Sequence, residues 1–68
     1  MEQQAQTHVN DDEARKCLTR VVVCTKPNSK SFTARLIAIE ERYFVFETRL
    51  REVKRDLKPF IVSMKAVA

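Results

Sequence analysis

The large apolar side chains concentrate between Lys30 and Glu47, KSFTARLIAIEERYFVFE, a stretch without glycine or proline. Before it, Met1 to Asn10 is polar and glutamine-rich, with almost nothing to bury, and predicts a disordered tail over residues 1–10. Asn10, Asp11 or Asp12 can accept hydrogen bonds from free amides at a helix start, so a short helix through about Leu18 is expected, with Ala14, Cys17 and Leu18 on one face. Arg20 to Thr25, RVVVCT, is a β-branched run that suits a buried strand. Lys26-Pro27-Asn28-Ser29-Lys30 is the strongest turn signal, because Pro27 presets φ and Asn28 tolerates left-handed geometry. At the other end Phe60, Val62 and Met64 alternate with Ile61, Ser63 and Lys65, which predicts a closing strand.

Two patterns compete over residues 31–58. As strands, Phe32, Ala34, Leu36 and Ala38 share a face, Glu40-Glu41-Arg42 turns the chain, and Tyr43-Phe44-Val45-Phe46 is a strand buried on both sides. As a helical hairpin, Phe32, Leu36, Ile39, Tyr43, Phe46, Leu50, Val53 and Leu57 fall at coiled-coil seam positions. The strand pattern buries Ile37, Phe44 and Val45, which the helix would expose. The absence of glycine favours the helix, since tight hairpin turns want residues that tolerate positive φ. Arg49 to Lys58 fits a helical turn, a basic loop or a continued strand pair, and Pro59 ends any helix there.

Charge separates the ends of the chain. All 13 Lys and Arg follow residue 13, against five of the nine acids, so residues 14–68 carry +8 while the whole chain carries +4. Such a balance suits a polyanionic partner, most often nucleic acid; a merely solubilising surface is the plain alternative. At 68 residues a single core supplies little stability, so self-association is expected. Cys17, Cys24 and His8 do not make a four-ligand zinc set, and no cofactor is implied. With no apolar leader and no apolar run near the roughly 18 residues of a membrane span, the expectation is a cytoplasmic protein, without a membrane partner, whose thiols are reduced and buried.

Read as strands, residues 17–68 resemble the Sm-like family of the Lsm and Hfq type. The resemblance rests on Val21-Val22-Val23-Cys24 as a first strand and on Asn28-Ser29 where the family often has Asn-Gly. It also rests on Phe32-Thr33-Ala34-Arg35-Leu36 followed by Glu40, and on the closing stretch Phe60 to Val67. The chain departs from the family in having Tyr43-Phe44 near the place of the family's base-contacting asparagine, which is missing, and Ser63-Met64 in place of the final Arg-Gly. The resemblance implies a mainly β fold over residues 11–68: a short N-terminal helix, then a five-stranded, strongly bent small barrel. It further implies a homo-oligomer, with a ring as the assembly the family suggests, that binds RNA.

No residue set suggests an enzyme or a small-molecule substrate. Glu40-Glu41 lacks a nucleophile or metal set, the lone histidine lies in the expected tail, and no glycine loop can cradle a phosphate. The candidate nucleic-acid contacts are Lys30, Arg35, Arg42, Arg49, Arg51, Lys54, Arg55 and Lys65, with Tyr43 as a stacking platform. Arg51, Lys54 and Arg55 together are the expected core of that surface. Phe44 reads as core. The expected function is non-enzymatic binding of RNA or single-stranded nucleic acid. The alternatives are a helical coiled-coil module for an acidic protein partner and an oligomer with a purely structural role.

Overall fold

The computed structural model describes residues 8–67. Helix α1 (Asp11–Lys16) precedes β1 (Val21–Thr25), β2 (Ser31–Ile39), β3 (Tyr43–Glu47), β4 (Val53–Leu57) and β5 (Ser63–Ala66), with a 3-10 turn at Lys58–Phe60. The strands pair antiparallel in one sheet of order β4-β3-β2-β1-β5. The protein is therefore mainly β, and the rival helical hairpin over residues 31–58 does not form. Phe44, Val45 and Phe46 explain the choice, because three consecutive buried side chains fit a strand covered on both faces but not one helical seam.

Val22 and Cys24 of β1, Ala34 and Leu36 of β2, and Phe44 and Phe46 of β3 point to one side and form the core with Ile61, Val9, Ala14 and Cys17. Lys26 Nζ, just beyond β1, reaches within 3.8 Å of Asp56 Oδ1 on β4, three strands along the sheet. A register shift falls between Leu36 and Ala38. It corrects the expected face of β2: the extra residue leaves Ala38 opposite Val45 and puts Ile39 opposite Phe44, packed against the core.

Three further expectations need correction. Residues 8–10 belong to the fold, since Val9 is buried and donates its N–H to Ile61 O at 2.9 Å, and Asn10 Oδ1 accepts the Glu13 N–H at 2.8 Å as the cap of α1. The rest of the expected tail, residues 1–7, lies outside the described residues. Leu18 is exposed, because α1 ends at Lys16 and Cys17 caps it. In the closing stretch Ile61 is buried while Phe60 and Val62 are exposed, because the 3-10 turn ends there and β5 begins only at Ser63.

The chain turns without glycine by placing Thr19, Ser29 and Arg51 at positive φ, 68°, 69° and 65°. In the β1–β2 turn it is Ser29, not Asn28, that takes the left-handed conformation. Asn28 instead accepts the Lys30 N–H on its Oδ1 at 3.1 Å.

Candidate nucleic-acid interface

Alternation along the strands sends Val21, Val23, Thr33, Arg35, Glu47, Arg55 and Lys65 to the outer face, opposite the core. Arg35 stands directly across from Glu47 on β3 and from Val21 on β1. Beyond Glu47 the β3–β4 turn is fixed by Thr48, whose N–H donates to Glu52 O at 2.9 Å. Its carbonyl accepts the Arg51 N–H at 2.9 Å, and its Oγ1 accepts the Glu52 N–H at 3.2 Å. That closed turn leaves Arg49, Leu50 and Arg51 exposed.

Strand face and turn together make an open groove of about 720 Å³ lined by Thr33, Arg35, Glu47, Thr48, Arg49 and Arg51, among others. Arg35 Nη1 donates to Thr19 O at 2.7 Å, which steadies the guanidinium. Among the described residues, none of Arg35, Glu47, Arg49 and Arg51 takes part in an ion pair. Three arginines thus face solvent with their charge uncompensated by direct contact.

The structure splits the other expected contact residues. Lys54 lies on the inner face of β4, opposite Phe46, with Nζ 3.9 Å from the Phe32 ring centroid and 3.4 Å from Asp56 Oδ2. Arg55 lies on the outer face, and its Nε donates to Glu40 Oε1 at 3.2 Å. Arg51, Lys54 and Arg55 therefore do not make one surface. Lys65 is exposed on the outer face of β5, across from Val23 and outside the groove lining, and Lys30 is exposed at the β1–β2 turn. Arg42 and Tyr43 sit at the far end of β3, about 13 Å from Glu47. Tyr43 is 36% exposed opposite Leu57, and the carbonyl of Arg42 accepts the Lys58 N–H. Phe44 is fully buried, as its core reading required.

Glu47, Thr33 and Thr48 line the groove without having been singled out in the sequence. Only the β2–β3 register brings the acid to Arg35, and one sequence does not display register. Among the described residues no three His, Cys, Asp or Glu side chains gather as a metal set, and no helix is long and apolar enough to cross a membrane. Cys17 and Cys24 are free and buried. Burial, seconded by the nearby Asp56 carboxylate, pushes the Cys24 thiol up to about 12. No family model, no curated protein and no solved structure matches this chain.

Proposed function

We propose that the protein is a non-enzymatic binder of RNA or single-stranded nucleic acid that works as a homo-oligomer of the Sm-like type. The observation that carries this reading is the convergence of Arg35, Arg49 and Arg51 on one open groove, without ion-pair partners among the described residues. Guanidinium groups in that state neutralise phosphates and release counterions, a contact that does not depend on sequence. Tyr43 and Arg42 offer a stacking platform and a charge at the other end of β3, a distance a few nucleotides can span.

Self-association is supported by the sheet. Among the described residues β4 and β5 each pair on one side only, so the order β4-β3-β2-β1-β5 leaves an edge at each end. Joining the β4 edge of one copy to the β5 edge of the next satisfies both and closes the small sheet into an Sm-like assembly. The sheet's mainly β character removes the footing of the coiled-coil module, whose seam needed a helix over residues 31–58.

Sedimentation velocity with and without a labelled single-stranded RNA tests both halves of the proposal. A species several times the 7.9 kDa chain mass that co-sediments with the RNA is the expected result. A monomer that leaves the RNA unbound at low salt would overturn it.

A further inference from the structure

We infer that the arginine groove is a subsite for a guanine nucleotide of a single strand, with Arg35 and Glu47 reading the base and Arg49 and Arg51 holding the flanking phosphates. The inference rests on the nucleic-acid reading above and adds a base preference to it.

The starting point is Glu47. A phosphate groove gains nothing from a carboxylate, and a structural carboxylate beside three arginines would be expected to pair with one. Glu47 is half-buried in the groove and directly across the sheet from Arg35, yet the two form no ion pair. Arg35 turns its Nη1 to Thr19 O instead. The site therefore keeps a two-oxygen acceptor beside a donor fork that has spent one of its five N–H groups.

Guanine is the base that matches that pair. Its N1–H and N2 amino group are adjacent donors, which an acceptor-only carboxylate takes with both oxygens. Its O6 and N7 are adjacent acceptors, the pair that arginine grips bidentately. Adenine and cytosine each set a donor beside an acceptor on the Watson–Crick edge, and uracil has a lone N–H between carbonyls, so none fills both carboxylate oxygens. Residues directly opposite on neighbouring strands have Cβ atoms about 5 Å apart, close enough for one purine to touch both side chains. Arg49 and Arg51 belong to the turn that Thr48 closes, on the solvent side of the base site, where the backbone of an entering strand would run.

The test is fluorescence anisotropy with labelled hexauridine carrying one central guanosine, inosine or adenosine. Inosine lacks only the N2 amino group of guanosine. Wild-type protein is expected to bind the guanosine strand roughly tenfold tighter than the adenosine strand, with inosine weaker than guanosine. Glu47→Gln should erase the guanosine–inosine difference with an unchanged circular dichroism spectrum, while Arg35 on O6 and N7 keeps both above adenosine, and Arg49→Gln with Arg51→Gln should weaken all three alike. Equal wild-type affinities, or a guanosine-over-inosine preference that survives Glu47→Gln, would overturn the guanine subsite while leaving nucleic-acid binding in place. Failure to bind any of the strands at low salt would overturn the nucleic-acid reading itself.

Discussion

Lys54 holds its Nζ 3.9 Å from the centre of the Phe32 ring, on the core side of the sheet. Its charge is spent there and on Asp56, so Lys54 acts as part of the fold. Replacing it with glutamine removes the contact over Phe32 and leaves Asp56 only Lys26, at 3.8 Å. The expected cost is about 1–2 kcal/mol. Thermal melting should fall by roughly 4–8 °C per kcal/mol lost, with nucleic-acid affinity unaltered once the variant is folded.

Ser29 takes φ 69° in the β1–β2 turn, a conformation that costs a residue with a Cβ about 1 kcal/mol more than glycine. Ser29→Gly is therefore expected to raise the melting temperature, and Asn28→Gly, which loses the side-chain acceptor for Lys30 N–H, to lower it. Opposite signs in a pair of melting curves are the check.

Leu50 is 79% exposed at the β3–β4 turn, whereas Leu36 is fully buried between β1 and β3. Leu50→Asp should change stability by less than about 0.5 kcal/mol, while Leu36→Ala should cost about 2–5 kcal/mol. Chemical denaturation of the two variants distinguishes this sheet from any seam that buries both leucines.

Cys24 titrates late because its thiol is buried, so the folded state prefers the neutral form. Its contribution to stability is complete below the ordinary thiol value of 9.0 and is lost as pH climbs towards about 12. Melting temperatures should therefore fall more steeply between pH 8.5 and pH 10.5 in wild-type protein than in Cys24→Ala, and alkylation of Cys24 at pH 8 should require unfolding. Those pH settings are about half a unit below and about one and a half above the ordinary thiol value.

Much of this fold is legible in the chain. The β-branched run before Pro27 makes β1, the Pro27-Asn28-Ser29 signal makes the first turn, and the burial of Phe44 and Val45 selects strand over helix. What escapes is register. The shift after Leu36 exchanges Ala38 for Ile39 against the core, and the 3-10 turn at Lys58–Phe60 exchanges Val62 for Ile61. Both are one-residue slips, which reverse which side chains are buried without altering composition. The candidate site suffers for the same reason. Lys54 and Arg55 are neighbours in sequence and lie on opposite faces of β4, while Arg35 and Arg51 are far apart in sequence and line one groove.

The most direct test of the central claim is the salt dependence of single-stranded RNA binding by wild-type protein, by Arg49→Gln with Arg51→Gln, and by Lys54→Gln. Each phosphate contact on a single strand adds about 0.7 to the slope of log affinity against log salt. The arginine pair should therefore lower the slope by roughly 1.4 along with the affinity, while Lys54→Gln leaves both at the wild-type value. An arginine variant that keeps the wild-type slope, or a Lys54 variant that loses as much, would contradict binding through the groove.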